Sequence, residues 1–297
     1  MEKVSILHLI TAAKNASPFD VNMAFDAGFD KIMPYTAVTL DEVAALTQDA
    51  IFSRSPSGVK LEAIFIGGRD INLAIDMQTA AKSAMFEPFT ISTMSDPSGA
   101  FTTGGALLAK VHQHLALGHD ALAKQVIAIF GASGTVGSTA ALIAATQGAR
   151  VQMVAHSSVS QMQAHADALY NKYGYKLEVV DGTTDAAKTA VLQSATVAIA
   201  AGPISVRVLE AKHYQHSKTL KVMADVNAVD PSGIANLDAK ADGEKIPGTD
   251  ILGVGALAVG QLKYVTQQKL LQQMLSGEKS VHLDFNHSFN IACVHSQ

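Results

Sequence analysis

The sequence predicts an α/β protein with two domains, each built on a mostly parallel sheet that helices cover. Short apolar segments of strand length alternate with amphipathic segments of helical period along most of the chain, which is the pattern of βαβ units. Glycine-rich or polar turns follow several of these strands, and 297 residues are enough for two cores. We therefore expect ligands to bind where the strands end.

The composition is that of a globular protein, with 48% hydrophobic and 16% charged residues. No apolar run approaches the ~20 residues of a membrane span, and the N-terminus lacks a signal-peptide pattern. The single cysteine, Cys293, excludes an internal disulfide, so we expect a cytoplasmic protein. The formal charge of −4 gives no electrostatic reason to expect nucleic acid or a membrane as partner.

The first hundred residues predict four strands and three helices. Ser17 and Pro18 are typical of a helix start and Gly28 of a helix end, while Thr39 to Glu42 has the spacing of a capping box. The predicted strands are residues 4–10, 31–35, 61–66 and 89–93, and the predicted helices are residues 19–27, 39–46 and 70–84.

The remaining chain repeats the alternation after a connecting helix over residues 102–117. The glycine-rich segment 253–260 is interpreted as a loop before a last helix over residues 262–275. Residues 1–105 are assigned to a substrate domain, joined by 265–297, and residues 106–264 to a nucleotide-binding domain. The strands predicted here are 126–130, 151–155, 177–180, 197–200 and 220–224, with helices near 159–173, 185–193 and 205–211.

A glycine turn lies between the strand at 126–130 and the next predicted helix. Its glycines have the spacing G-x-x-G-x-x-G, which permits a tight turn and brings phosphate oxygens close to the backbone. The helix start then offers N–H groups and the positive end of the helix dipole. The motif predicts a dinucleotide cradle, with a plain tight βα turn as the alternative. The cradle residues are Gly131, Ser133, Gly134, Thr135, Val136 and Gly137.

The end of the second nucleotide strand bears on the choice between NAD and NADP. An acidic residue there would bind the adenosine ribose and repel a 2′-phosphate. The chain instead has His156, Ser157 and Ser158, which include neither a carboxylate nor an arginine or lysine. We therefore expect a site that accepts both NAD and NADP.

Other loops at strand ends are candidates for ligand binding, namely 95–103, 225–227, the glycine-rich segment ending at Lys263, and Ala201, Gly202 and Pro203. Asp96 and Asp225 have two interpretations. Each is typical of a turn or a helix cap, yet their joint position at strand ends favours ligand binding around one cleft. The tail histidines, His282, His287 and His295, share no helical face, so we expect no metal.

Several segments together carry a resemblance. In chain order they are SPFDVNMAFDAGFDKI, AIFIGGRDI, STMSDPSGAFTT, VIAIFGASGTVG, AAGPISVRVL, MADVNAVDPSGI and GVGALAVGQLKY. The chain resembles the methylene-tetrahydromethanopterin dehydrogenases of methylotrophic bacteria and, more distantly, the methylene-tetrahydrofolate dehydrogenases. The resemblance implies hydride transfer between NAD(P) and a one-carbon unit on a reduced pterin, in formaldehyde oxidation. It also implies an N-terminal pterin domain, a Rossmann-type domain and a homo-oligomer.

The resemblance also implies roles for particular side chains. Lys263 aligns with a lysine that the family places near the pterin, and we expect it to orient the substrate rather than to transfer a proton. Bifunctional folate enzymes use a tyrosine and a lysine four residues apart, but Tyr35 is followed by Thr39, so dehydrogenase activity alone is expected. The candidate residues for binding the pterin are Asp20, Asp96, Ser98, Thr102, Asp225 and Asn227.

Three other functions remain open on sequence grounds. Methylene-tetrahydrofolate is an alternative substrate. A shikimate or glutamyl-tRNA reductase-like dehydrogenase would need a Lys–Asp pair, which Lys263 and Asp96 could imitate. A protein that senses NAD(P) without catalysis would need only the glycine turn and a partner domain.

Overall fold

The computed structural model describes residues 4–115, 121–276 and 279–296. The chain forms two compact units, the first of Met1–Thr102 and Tyr264–Ile291, the second of Thr103–Lys263 and Ala292–Gln297. Each unit has its own mostly parallel sheet, so the predicted α/β class is confirmed.

The first part of the chain alternates strands and helices as expected. In chain order its elements are β1 Ile6–Ile10, α1 Pro18–Ala27, β2 Lys31–Tyr35, α2 Val43–Phe52, β3 Glu62–Ile66, α3 Ile71–Ser83, β4 Ser92–Ser95 and α4 Ala100–His114.

The second part begins with the strand before the glycine turn. Its elements are β5 Val126–Phe130, α5 Thr135–Thr146, β6 Arg150–Ala155, α6 Val159–Tyr173, β7 Glu178–Asp181, α7 Asp185–Ser194, β8 Val197–Ala200, α8 Ala211–Tyr214, β9 Val222–Asp225, β10 Asp242–Lys245, β11 Leu252–Val254, α9 Ala256–Ser276, β12 His282–Leu283 and α10 Phe285–His295.

The first sheet has the strand order β12-β4-β3-β1-β2, and all of its pairs are parallel. All five residues of β3 are buried, because helices cover both faces of the sheet. Alternate residues of β3 enter different core clusters, with Ala63 and Phe65 in one and Ile64 and Ile66 in the other.

The second sheet has the order β10-β11-β9-β8-β5-β6-β7, antiparallel only between β10 and β11. Its parallel part follows the Rossmann order, in which the first strand of the unit, β5, lies between β6 and β8. The direction of the crossovers reverses between β5 and β8. Open α/β sheets bind ligands in the crevice at such a reversal, outside the carboxyl ends of the strands.

Local signals set several helix ends where the sequence predicts them. The Ser17 side chain accepts a hydrogen bond from the backbone of Asp20, Pro18 is the first residue of α1, and Gly28 closes the helix with φ 109°. Asp70 caps α3 by accepting from the N–H groups of Asn72 and Leu73, at 2.8 and 3.0 Å.

The glycine-rich segment 253–260 is not a loop, and that prediction was wrong. Gly253 belongs to β11, and Gly255 forms a close turn in which a Cβ would lie 2.3 Å from the Asp238 carbonyl. Helix α9 begins directly after this turn, at Ala256. Lys263 therefore lies well inside a helix rather than at a helix start.

Other differences from the predicted elements are local. The helix near 205–211 is reduced to the single turn of α8, and the strand at 89–93 is shifted to β4. Residues 292–296 group with the second unit, whereas 265–297 was expected to join the first. Lys110 Nζ of the second unit donates to the Ser296 carbonyl at 3.1 Å. The predicted helix over 102–117 is α4, and residues 116 and 117 lie outside the described residues.

The described residues include neither a helix suited to a membrane nor a cluster of metal ligands. Within residues 4–115, 121–276 and 279–296, no helix is long and apolar enough to cross a bilayer. In the same ranges, no three metal-ligating side chains form a group, and His282 lies in β12 while His287 and His295 lie in α10.

Candidate functional site

The turn after β5 is built so that two of its glycines are required by packing. Gly131 has φ 79°, and a Cβ there would lie 2.4 Å from the Ala201 carbonyl oxygen. A Cβ on Gly137 would lie 2.3 Å from the Gly131 carbonyl oxygen. These approaches are shorter than van der Waals contact, so neither position accommodates a side chain without displacement of the backbone.

Gly134 differs from the other two glycines because its position has room for a Cβ. It is exposed, it is the N-cap of α5 with φ −76° and ψ 163°, and a Cβ there would find its nearest atom at 3.4 Å. The first backbone bond within α5 runs from Ser138 N–H to the Gly134 carbonyl, at 2.8 Å. The N–H groups of Thr135, Val136 and Gly137 precede that bond and have no partner inside the helix, which makes this end suitable for a phosphate.

A pocket of about 530 Å³ adjoins this helix start, at the carboxyl ends of β5, β6 and β8. It brings together nine of the residues predicted to bind the cofactor, which come from three separate segments of the chain. These nine are Gly131, Ser133, Gly134, Thr135, Val136, His156, Ala201, Gly202 and Pro203.

Three predicted cofactor residues do not line this pocket. Gly137 is buried beneath the turn, and Ser157 is exposed directly after His156. Ser158 is the N-cap of α6, where its hydroxyl oxygen accepts from the Gln161 N–H at 3.2 Å. Ser158 thus caps α6, and its role as a cofactor ligand stays a prediction.

The pocket also has residues that the sequence reasoning missed. Gly182 follows β7 directly, and a Cβ there would lie 2.2 Å from Val154 Cγ1, so a glycine at a strand end was an available signal. Lys188 of α7 and Arg207 after β8 gave no local signal, because folding alone brings them to the pocket. The other missed lining residues are Phe130, Val154, Val206, Val208 and Val226.

Asp225, at the end of β9, holds its own loop rather than pointing a free carboxylate at a ligand. It is 2% exposed, and its two oxygens accept from Asn227 N–H at 2.9 Å and from Ile234 N–H at 3.1 Å. Burial raises the pKa of the Asp225 carboxyl, although these backbone hydrogen bonds oppose the change. These hydrogen bonds agree with the turn interpretation of Asp225, and its role in substrate binding stays a prediction.

Asn227 has the same kind of role. Its Oδ1 accepts from the Val229 N–H at 3.1 Å, and its Nδ2 donates to the Pro231 carbonyl at 3.2 Å. The side chain is buried and holds the loop that follows β9. These contacts give Asn227 a structural role in the loop, and its role in substrate binding stays a prediction.

Asp96, at the end of β4, caps a helix. It is fully buried, and its Oδ1 accepts from the N–H groups of Phe101 and Thr102 at 2.9 and 3.1 Å. Its Oδ2 accepts from Thr102 Oγ1 at 2.6 Å. Asp96 thus caps the helix, and Thr102, itself fully buried, is its hydrogen-bond partner. The substrate-binding roles of both residues stay predictions.

Two further candidates lie on helices. Asp20, in the first turn of α1, is 5% exposed and accepts from Gln267 Nε2 of α9 at 3.1 Å, so it joins two helices of the first unit. Lys263 is partly exposed on α9.

A smaller pocket of about 210 Å³ lies in the first unit, at the carboxyl ends of β1 and β3. Ser98, exposed and in the left-handed region at φ 52°, donates to the Gly68 carbonyl in its wall at 2.8 Å. Its lining residues are Ala12, Ala13, Gly67, Gly68, Arg69, Asp70, Leu73, Ala74 and Met77. A wider cavity of about 690 Å³ lies near the start of β4, away from the strand ends that bind ligands in such folds.

A family model and a relative of known function both point to the same family of proteins. Residues 18–98 match a family model described as methylene-tetrahydromethanopterin dehydrogenase, N-terminal. The chain is 41% identical over 290 residues to an NAD(P)-dependent methylenetetrahydromethanopterin dehydrogenase of Methylorubrum extorquens, covering 97% of both chains. It is 29% identical over 265 residues to the bifunctional protein MdtA of the same organism, covering 89% of this chain and 90% of that protein.

Among solved structures, the ornithine transcarbamoylase of Giardia lamblia has a TM-score of 0.54 with this chain. The two are 9% identical, and the match covers 93% of this chain and 88% of that one. At this identity the likeness is one of fold alone.

Proposed function

Since the chain belongs to the methylenetetrahydromethanopterin dehydrogenase family, we propose that it oxidises methylene-tetrahydromethanopterin to methenyl-tetrahydromethanopterin with NAD or NADP. The observation that carries this proposal is the 41% identity along 97% of both chains. The matched relative is named for a pterin substrate, so the shikimate-type and non-catalytic alternatives are not retained.

The pocket of the second unit fits a dinucleotide. Gly134 leaves space beside the start of α5, where the N–H groups of Thr135 and Val136 would hold the pyrophosphate. His156 and the loop of Ala201 to Pro203 would line the rest of the molecule. When bound, the nicotinamide ring supplies a hydride acceptor.

The proposed hydride transfer needs little acid or base catalysis. The methylene carbon lies between two nitrogens, whose lone pairs stabilise the methenyl cation when the hydride leaves. No nucleophile and no proton transfer are required, so the protein must bind, orient and exclude water. The buried carboxylates of Asp96 and Asp225 suit this mechanism, since backbone N–H groups already engage them and leave them to shape the loops.

For the reduced pterin, we propose the pocket at the ends of β1 and β3. The family model covers residues 18–98, which include Gly67 to Met77 of its wall. Small and apolar side chains such as Ala74 and Leu73 would contact the ring, while Ser98 fixes the Gly68 carbonyl. Replacement of Leu73 by tryptophan should raise the pterin KM and leave the dissociation constant for NADP unchanged.

Lys263 remains our candidate for orienting the substrate. A methenyl product is cationic, and an ammonium near its nitrogens would oppose that charge. We therefore assign Lys263 to the carbonyl or aryl edge of the pterin, where it would position the ring without transferring a proton.

The test of the proposed function is a direct assay. Purified protein is incubated with methylene-tetrahydromethanopterin and either NADP or NAD, and methenyl absorbance is followed. Parallel reactions contain methylene-tetrahydrofolate or shikimate. We expect turnover of the first pterin with both nucleotides, whereas turnover of shikimate alone would refute the proposal.

The expected assembly and location follow from the family resemblance and the composition. We propose a homo-oligomer in the cytoplasm. Light scattering during size-exclusion chromatography measures the mass directly, and a mass near the 31.1 kDa of one chain would contradict the oligomer.

A further inference from the structure

Two cationic side chains line the nucleotide pocket, Lys188 from α7 and Arg207 from the segment after β8. Among the described lining residues they are the lysine and the arginine, and no aspartate or glutamate accompanies them. The wall of this pocket is therefore net positive. Such a wall favours the binding of an anionic ligand.

Both cations are anchored by backbone carbonyls, which carry no formal charge. Lys188 Nζ donates to the Val208 carbonyl at 2.9 Å, and Arg207 Nε donates to the Ser232 carbonyl at 2.6 Å. The Glu210 carboxylate lies 3.9 Å from an Arg207 terminal nitrogen and is 54% exposed, so water weakens that pair. Lys188 forms no ion pair with a carboxylate in the part of the chain that the structure describes.

Two other cations of the second unit each lie close to a carboxylate. Lys110 lies 2.7 Å from an Asp242 oxygen, and Arg150 lies 2.9 Å from a Glu178 oxygen. Lys188 and Arg207 differ from them because their anchors orient the side chain while leaving its charge available. An arginine held through Nε still has terminal N–H groups that can bind two phosphate oxygens.

The two cations meet at one side of the pocket. Lys188 contacts the carbonyl of Val208, the residue next to Arg207, and it belongs to the helix that follows β7. The wall also includes His156 at the end of β6 and Gly182 at the end of β7. In dinucleotide sites of this topology, the end of the second strand is where the adenosine ribose binds.

We infer that Arg207 and Lys188 bind the 2′-phosphate of NADP, so that the site accepts both nucleotides but prefers NADP. The inference rests on the proposed function, since it requires that the pocket hold the nucleotide. The N–H groups at the start of α5 are already assigned to the pyrophosphate. The cations thus supply from other elements the charge that residues 156–158 lack.

The test measures equilibrium binding without any pterin. Dissociation constants for NADP, NAD, 2′,5′-ADP and 5′-AMP are determined by calorimetry for the wild type, Arg207→Gln, Lys188→Gln and Arg207→Lys. We expect Arg207→Gln to weaken NADP and 2′,5′-ADP by about tenfold to a hundredfold, as for a lost hydrogen bond to a charged group. NAD and 5′-AMP should change by less than about twofold, and Arg207→Lys should recover part of the lost affinity because it keeps the charge.

Arg150→Gln is the matched control, since Arg150 begins β6 and pairs with Glu178 at the start of β7, at the end of these strands opposite the pocket. Its nucleotide affinities should equal those of the wild type. Melting temperatures of all variants report whether the fold is kept, and Lys188→Gln gives an independent reading if Arg207→Gln is unstable.

The outcomes separate this inference from the proposed function. Equal losses for NAD and NADP would place the cations on the pyrophosphate and overturn the assignment, as would unchanged affinities in both glutamine variants. Wild-type protein that binds neither nucleotide would refute the nucleotide site itself, and this inference with it.

Discussion

The turn after β5 and the loop after β9 both follow buried parallel strands of the same sheet, yet their polar groups are used in opposite ways. In the turn, Gly134 leaves the first N–H groups of α5 facing a pocket. In the loop, Asp225 accepts hydrogen bonds from the N–H groups of Asn227 and Ile234. The turn is therefore the better anion site, although it has no charged side chain. In the loop, the Asp225 carboxylate already accepts hydrogen bonds from the N–H groups that an anion would need.

The largest effect should follow from placing a branched side chain at the open glycine. Gly134→Val has room for its Cβ and an ordinary φ, so the protein should fold, but its methyl groups would occupy the phosphate site. We expect NADP affinity to fall by a factor on the order of a hundred, as for two lost charge-assisted hydrogen bonds. Calorimetric titration measures it.

Gly137→Ala is the control for that substitution. Its Cβ would lie 2.3 Å from the Gly131 carbonyl, so it should lower the melting temperature strongly. If Gly134→Val binds NADP as the wild type does, the open helix start is not the phosphate site.

Removal of the Asp225 carboxylate should lower the stability of the fold rather than the affinity for NADP. Asp225→Ala leaves two buried N–H groups without an acceptor, so we expect a loss of about 2–3 kcal/mol in the free energy of unfolding. Urea denaturation gives the value. Below the melting temperature, the pterin KM should stay within about twofold of wild type, and a much larger rise would identify Asp225 as a substrate ligand.

Lys263 tests whether a helical residue contributes to the substrate site at all. Lys263→Met keeps the length of the side chain and removes its charge, so we expect a roughly tenfold rise in pterin KM with NADP affinity unchanged. Steady-state kinetics over a range of pH provide the measurement. Loss of a basic limb in the profile would assign proton transfer to Lys263, and wild-type kinetics would remove it from the site.

Ser157→Arg should have a smaller effect. Ser157 is exposed beside the pocket, and an added guanidinium there would interact with a 2′-phosphate through water. The ratio of NADP to NAD affinity should rise by about twofold to fivefold, the size of an exposed ion pair. A rise of a hundredfold would mean that residues 156–158 hold the phosphate and that Arg207 does not.

The smallest effect concerns pH and the buried carboxyl. Burial raises the pKa of the Asp225 carboxyl above its ordinary value, so the folded protein holds this proton more tightly than the unfolded chain. Its contribution to stability is therefore greatest below pH 3.8 and falls as the pH rises through the raised pKa. Relative to wild type, Asp225→Asn should gain stability over that interval, and the opposite slope would show that hydrogen bonding outweighs burial.

Local patterns predicted the parts of the site that local geometry determines. The order of strand, glycines and helix around Gly131 to Gly137 placed α5 correctly, because each signal lies within a few residues of its effect. The same reasoning predicted a loop at 253–260. It failed there because the glycines belong to β11, a close turn and the inside of α9.

The non-local parts of the site could not be predicted in this way. Lys188 and Arg207 reach the pocket because α7 crosses from β7 to β8, which no spacing of residues reveals. The roles of Asp96 and Asp225 depend on which N–H groups reach them. The sequence correctly placed both carboxylates at strand ends, but it could not show which groups would donate hydrogen bonds to them.

The approach of Gly131 to Ala201 couples two distant stretches of the gene. A Cβ at position 131 would lie 2.4 Å from the Ala201 carbonyl oxygen and 2.7 Å from the Gly202 nitrogen. A substitution at Gly131 is therefore tolerated only in a background where the segment after β8 takes another path. Mutational histories of these two stretches should be correlated, and grafting either one alone into a relative with a different partner should yield insoluble protein.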